Sequence, residues 1–291
     1  TCVAAAAASI AMGLFANYPL ALASGLGLNA VVAFTLILGL GLSWQQAMAV
    51  IVLEGLLVTV LVLTNLREAV MNAIPMSLKF AIAVGIGLFI AFIGLKNGGI
   101  VVQDPATYLT LGDFTQGPVL LAAFGLAVTL VLVALGLRGG ILGGILITGI
   151  VGMVFGIIPL PERVVDFRFD TSTVGGGLLA IPEVLQITLV PVIFALFMTD
   201  FFDTMGTVIA VGQEGHLLDE EGRPPHLKRI LLVDSLAAAG GGALGASSVT
   251  SYIESGSGVA EGGRTGLTSV VVGLLFLLAL PFSPIIGVFG G

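Results

Sequence analysis

Charge is scarce in this chain. Only 9% of its 291 residues are Asp, Glu, Lys or Arg, against roughly 25% in an ordinary soluble domain, so a fully solvated surface cannot be built from it. Histidine and cysteine are scarcer still, at two and one. That excludes a metal cluster and a disulfide framework, which need several such residues in register, and Cys2 therefore carries no information about compartment. Ten Lys and Arg against seventeen Asp and Glu leave a net charge of −7. Most of the acids sit in short connections such as Asp219 to Glu221, where solvation accounts for them. Nucleic acid is not expected as a partner, and no cofactor is expected.

What the chain has instead is apolar length: 57% hydrophobic residues and a mean hydropathy of +1.15. A hydrocarbon core of about 30 Å takes roughly 20 apolar residues per helix. Reading the runs against Pro, Gly and charge gives Val3 to Phe15, Ala21 to Leu40, Gln46 to Leu63, Phe80 to Leu95, Val119 to Leu137, Gly140 to Ile158, Ile181 to Val211, Ile230 to Ala246, Val249 to Glu261 and Leu267 to Phe289. The longer connections are Lys96 to Pro118, Pro159 to Ile181 and Gly212 to Arg229. Alternate crossings put Arg67, Lys79, Arg138, Arg223, Lys228, Arg229 and Arg264 on one side and Lys96, Arg163 and Arg168 on the other, which makes the first side cytoplasmic. The expected product is an all-α, multi-pass protein of the cytoplasmic membrane with the lipid bilayer as its surroundings. Because apolar residues run almost to both ends, the chain reads as a fragment of a longer protein.

Two of the spans are broken by Ser-Gly-x-Gly, at Ser24-Gly25-Leu26-Gly27 and Ser255-Gly256-Ser257-Gly258. Unwound backbone persists at membrane depth only where it is packed in protein or lines a polar cavity. Sliding the chain along itself lays one break over the other, Ala6-Ala7-Ala8 over Ala237-Ala238-Ala239, and Ala23 over Glu254. An odd number of crossings separates the copies, so the repeat is inverted, and paired breaks of this kind mark the substrate site of an inverted-repeat transporter.

Ionisable groups inside the spans are the candidates for chemistry. Asp200 and Asp203 stand three residues apart in Phe197 to Thr207, on one helix face, as ligand and supporting group or as caps of a broken helix. Glu254 closes the alternation Thr250, Tyr252, Glu254, which reads as a short extended piece with one polar face, unless Glu254 is paired with Arg264. Asn29 follows the first break near a half-helix start, where it could equally be an N-cap. Glu54 and Asp234 are proton-relay groups or buried carboxylates tying helices together. His216 and His226 fall in a charged connection. Gly85, Gly87, Gly139, Gly140, Gly143 and Gly144 fit close helix packing.

Several motifs together carry a resemblance: Met12-Gly13-Leu14-Phe15-Ala16-Asn17-Tyr18-Pro19, Gly25-Leu26-Gly27-Leu28-Asn29-Ala30, Phe202-Asp203-Thr204-Met205-Gly206-Thr207, Thr250-Ser251-Tyr252-Ile253-Glu254-Ser255 and Gly262-Gly263-Arg264-Thr265-Gly266, with Asn72-Ala73-Ile74-Pro75 and Gly85-Ile86-Gly87-Leu88-Phe89. From end to end the chain resembles the AzgA-type purine permeases of the nucleobase:cation symporter superfamily. The resemblance implies a seven-plus-seven inverted-repeat fold divided into core and gate, here with the first span and the last three absent. Core spans would lie in 1–63 and 181–289 and gate spans in 80–158. It puts substrate contacts on Asn29, Asp203 and Glu254, and Ser24, Gly25, Ser255, Gly256 and Thr207 belong to the same broken segments and motif. It departs from the family's pattern at Val31-Val32, where an aromatic pair is common, and at Ser24, often Pro.

The implied activity is proton-coupled import of hypoxanthine, guanine or adenine, with Glu254 and Asp203 handling the proton as hydration changes around them. A channel or anion transporter on the same broken-helix plan is the competing expectation, although acidic side chains at both breaks disfavour an anion. A membrane-embedded enzyme would need a nucleophile–base pair or metal set within the spans, and neither His lies in one. Whether the protein forms a homodimer is left open by the sequence.

Overall fold

Backbone that leaves the helix inside an apolar run must find its hydrogen bonds elsewhere, and the computed structural model shows where. It describes residues 1–137, 139–160, 163–167 and 171–284, together with the side chains of all but a few helical residues among them. In chain order, α1 (Cys2–Ala11) runs on as a π-helix, Met12–Ala16, and then turns through Asn17 to β1 (Leu22–Ser24). α2 (Leu26–Ala30) also runs on as a π-helix, Val31–Gly39. Next come α3 (Trp44–Leu63), α4 (Leu66–Ala73), α5 (Met76–Asn97), the hairpin of β2 (Val101–Asp104) and β3 (Tyr108–Leu111), α6 (Gly117–Ala134) and α7 (Gly140–Val154). The short α8 (Gly176–Leu179) and α9 (Ile181–Val184) precede α10 (Val190–Glu214), α11 (Leu227–Ala243), β4 (Val249–Ser251), α12 (Ser255–Ala260) and α13 (Gly266–Ala279).

The chain divides into two compact units, one of Thr1–Val84 with Arg168–Leu280, the other of Gly85–Phe167 with Pro281–Gly291. In the first unit the two broken segments meet. β1 and β4 pair antiparallel, Leu22 opposite Ser251, Ala23 opposite Thr250 and Ser24 opposite Val249. Around this ribbon lies an apolar cluster drawn from both repeats: Met12, Tyr18, Leu20, Leu22, Val208, Ile230, Val249 and Val259. Small residues let the helices approach closely. A Cβ added at Gly55 of α3 would run into the backbone of Ala239 on α11, and one at Gly242 would lie 2.9 Å from Met48 O. Gly13 and Gly266 abut in the same way where α13 crosses the end of α1. α3 starts on a capping box, Ser43 Oγ accepting from Gln46 N at 3.2 Å while Ser43 N donates to Gln46 Oε1 at 2.9 Å, which satisfies orphan donors at the helix start.

The second unit contains a tightly packed helix pair. Gly125 of α6 faces Thr148 of α7, and Gly144 of α7 faces Thr129 of α6. Each threonine hydroxyl donates to the carbonyl four residues back in its own helix, Thr129 to Gly125 and Thr148 to Gly144, so neither exposes an unpaired polar atom to apolar surroundings.

Every expected span has a helical counterpart, with corrections. The Lys96–Pro118 connection holds the β2–β3 hairpin. The run Ile181 to Val211 is interrupted between α9 and the 3₁₀ turn Ile187–Leu189 that leads into α10. The extended piece expected to reach Glu254 stops at Ser251, and Glu254 is in the helical region as N-cap of α12. The strands therefore place Ser24 in the position of Ser251, not Ser255: matching letters overstated the offset of the repeat. Close packing holds for Gly140, Gly143 and Gly144, whereas a Cβ on Gly85, Gly87 or Gly139 would meet no atom of the described residues within 4 Å. Arg138, Arg168 and the end of the last span, 285–289, lie outside the described residues.

Gly55→Ala should destabilise the protein by about 1–3 kcal/mol through overpacking against α11. Gly240→Ala, where added atoms meet open space, should be neutral or stabilising by up to about 1 kcal/mol from helix propensity. Thermal unfolding of the detergent-solubilised protein measures both.

Candidate functional site

The free edges of the two-stranded ribbon are closed by side chains from the helices that precede each strand. Ser9 on α1 accepts from Leu22 N at 2.9 Å and donates to Leu22 O at 3.1 Å. Asp234 on α11 accepts from Ser251 N at 2.9 Å and from Ser251 Oγ at 2.6 Å. Just outside the ladder, Ala21 N donates to Ser255 Oγ at 3.0 Å, Tyr252 N to Ala21 O at 3.2 Å and Gly25 N to Ser248 O at 3.0 Å. Backbone at the breaks is thus satisfied within the protein, as membrane depth requires.

α10 packs against α2, β4 and α12, so its polar residues face both breaks. Asp203 is half-buried, close enough to Asp234 and Glu254 to feel both charges. Glu254 is exposed, and among the described residues no ion pair joins it to Arg264, whose Nη1 donates to the carbonyls of Val259 and Gly263. Asn29 is not the N-cap of α2, which is Gly25. It lies one turn in, its Oδ1 accepting from Ser24 Oγ at 2.8 Å, which leaves its NH2 to offer a ligand. Among the described residues Asp203 and Glu254 have no hydrogen-bond partner for their carboxylates.

The remaining site candidates are more committed. Ser24 holds Asn29, Ser255 holds the first break through Ala21 N, and Thr207 is buried inside α10. Gly25 is buried with Thr250 Cγ2 2.9 Å from where its Cβ would be, whereas a Cβ on Gly256 would meet nothing within 4 Å among the described residues.

Sequence reasoning missed Ser9 and Arg67. Arg67, counted above among the cytoplasmic loop charges, is 1% exposed, with Nη2 at 3.4 Å from Asp200 Oδ2 and 3.5 Å from Asp234 Oδ2. Its signal was the surplus of carboxylates in the spans, since buried charge demands a partner. Asp200 therefore pairs with an arginine one turn from Asp203. Asp234 ties helices to the ribbon, accepting also from Thr204 at 2.7 Å and Thr250 at 3.2 Å.

A family model for permeases, Xan_ur_permease, described as "Permease family", matches residues 1–289. The chain belongs to that family. The permease is 43% identical over 289 residues to the guanine/hypoxanthine permease PbuG of Bacillus subtilis (strain 168), covering 99% of this chain and 66% of that one. It is 40% identical over 297 residues to the adenine permease AdeP of Escherichia coli (strain K12), covering 100% and 65%. The chain spans just under two thirds of the length of these relatives. In fold it matches the transmembrane domain of a cyanobacterium bicarbonate transporter, BicA, with a TM-score of 0.66 at 14% identity over 99% of this chain and 76% of that one. The permease is therefore a multi-pass membrane protein of seven-plus-seven inverted-repeat fold, and its family is one of transporters, not enzymes.

Asp234→Ala should cost about 3–5 kcal/mol, because it strips the buried Arg67 of one counter-charge and Ser251 of its acceptor. Hydrogen exchange should accelerate most at Val249–Ser251.

Proposed function

We propose that the full-length permease imports purine nucleobases across the cytoplasmic membrane by proton symport, binding the base where the two broken segments meet α10. The observation that carries this reading is that α10, which holds Asp203, packs against α2, which holds Asn29, and against α12, which opens on Glu254, and that among the described residues the Asn29 NH2 and both carboxylates have no partner. A purine is flat and alternates donors and acceptors along its edge. Two carboxylates accept its N–H groups, and the Asn29 amide donates to a ring nitrogen or carbonyl oxygen. The names of the relatives support guanine, hypoxanthine or adenine as the class of cargo. Proton coupling is assigned to Glu254 and Asp203, whose charge is costly at that depth and which can take up a proton as substrate displaces water.

Alternating access is assigned to movement of the unit carrying the broken segments, as core, against the gate spans of 80–158. Anion transport, suggested by the bicarbonate transporter of like fold, is the weaker reading, because two carboxylates and no free cation face the breaks among the described residues.

Uptake of labelled hypoxanthine by liposomes containing the full-length protein under an inward proton gradient tests the reading, with a panel of purines and pyrimidines as competitors; competition by bicarbonate in place of purines would refute it. Glu254→Gln should keep the fold and lower kcat/KM for uptake by about 10²-fold, the loss of one charge-assisted hydrogen bond to the base. Asn29→Ala and Asp203→Asn should each weaken purine binding by about tenfold or more. Combined, they should cost less than the sum of the two, because each leaves the other's site incomplete. Isothermal titration of the three variants gives the coupling energy, and strict additivity would mean that the two side chains do not share a ligand.

A further inference from the structure

Beneath the substrate site lies a second cluster of charge. Glu54 of α3, Arg67 of α4, Asp200 of α10 and Asp234 of α11 are each at most 1% exposed, and Glu54 lies within electrostatic reach of the other three. Three carboxylates stand against one guanidinium, and fully ionised the group would hold two uncompensated negative charges away from water, which burial does not allow. The donors are unequally shared. Asp234 accepts from Thr204, Thr250, Ser251 N and Ser251 Oγ, and Asp200 takes Arg67 Nη2. Among the described residues both oxygens of Glu54 are without a hydrogen-bond partner, as are Arg67 Nε and Nη1 and Asp200 Oδ1.

We propose that Glu54 is a proton-binding site, separate from the substrate residues, whose occupancy neutralises this cluster inside the core. The step needs only a proton from water. One carboxylate oxygen of Glu54 forms an O–H bond on loading, and the same bond breaks on release. A metal cation fits less well, because Arg67 already stands in the cluster and among the described residues no group of three His, Cys, Asp or Glu has metal-binding geometry. Other charges near α3 do not compensate. Glu183 of α9 accepts from Gln46 at the exposed start of α3, Lys228 at the exposed start of α11 bonds Asn65, Arg229 is exposed beside it, and α8 carries no ionisable side chain. The side chain of Glu68 on α4 is outside the described residues.

The cluster is wired to the breaks. Asp200 and Asp203 share one face of α10, Asp203 feels Asp234 and Glu254, and Asp234 holds β4. Charge changes at the breaks therefore alter the affinity of Glu54 for its proton, and the reverse follows by linkage. This connection to transport rests on the purine reading above; the proton on Glu54 does not.

Infrared spectroscopy of the full-length protein in liposomes at neutral pH reads the proton directly. A carboxylic-acid C=O band that shifts in D2O should be present in the wild type and reduced by one group in Glu54→Gln, with the fold of the variant checked by thermal unfolding. An identical band in both proteins overturns the proposal, as does a band that survives Glu54→Gln and disappears in Asp200→Asn.

Transport in the same liposomes gives the second readout. Under a one-unit inward proton gradient the wild type should concentrate labelled purine about tenfold per coupled proton. Glu54→Gln, with Glu254 and Asp203 still in place to couple, should lose the contribution of one proton and accumulate purine about tenfold less, while retaining gradient-free counterflow exchange. Equal accumulation by both proteins overturns the link between the Glu54 proton and transport, and accumulation driven by sodium at constant pH and lost in Glu54→Gln overturns the proposal. A wild type that neither binds nor moves purine refutes the purine reading, and the infrared comparison then judges Glu54 alone.

Discussion

The fold depends on one constraint: peptide groups released from helix in apolar surroundings must all be paired. A single broken helix cannot meet it, because an isolated extended segment has two unsatisfied edges. Two broken helices can, if each offers its edge to the other, and the β1–β4 ladder is that exchange. The outer edges still need partners. Ser9 and Asp234 supply them from the helices immediately preceding each strand, so α1 and α11 cannot move relative to the ribbon without exposing peptide groups. The glycine contacts between α3 and α11 and between α1 and α13 follow from the same need, since helices carrying short anchors must lie close to what they anchor.

That requirement also sorts the carboxylates. Asp234 is committed to the ribbon, accepts from four donors and has a cation beside it. Arg67 is the cation, and its guanidinium reaches Asp200 as well. Once these two acids are occupied, Asp203 and Glu254 remain at the breaks with their oxygens uncommitted, and Glu54 remains in the core with none of its oxygens paired, among the described residues. Five acids of the same chemistry thus take three kinds of position, decided by which donors reach them.

Much of this was legible before any coordinates. The spans follow from apolar length, and the two breaks from glycine and serine inside those runs. Asn29, Asp203 and Glu254 stand out because polar groups at membrane depth need a reason. Pairing was not legible. Ser-Gly-x-Gly matches Ser24 to Ser255 by letters, whereas the ladder matches Ser24 to the position of Ser251, because register is set by partners far along the chain and not by local spelling. Burial of Arg67 was hidden for a similar reason. Four residues beyond the end of α3 an arginine reads as a loop charge, and only the return of α10 and α11 encloses it. The β2–β3 hairpin was masked by a polar, Gly-containing connection, and its strands are mostly exposed, so no buried alternation announces it.

The two halves share a plan but not a charge, and on the purine reading that difference is what a flat, two-edged ligand requires. In the first half the strand is anchored by a neutral serine, and the following half-helix carries the Asn29 amide, whose oxygen is occupied by Ser24 and whose NH2 can donate. In the second half the strand is anchored by an aspartate, and the half-helix opens on Glu254, which can only accept while ionised. A strictly symmetric pair of breaks would present the same group twice and suit a ligand with identical edges. Divergence of the repeats to a donor on one side and acceptors on the other, with Asp203 delivered between them by α10, instead matches a heterocycle that displays acceptor and N–H donor along its rim. Selectivity within purines would then be set by how the Asn29 amide meets a ring carbonyl as against an exocyclic amine, since an unmatched donor left dry in such a site is penalised more heavily than a missing apolar contact.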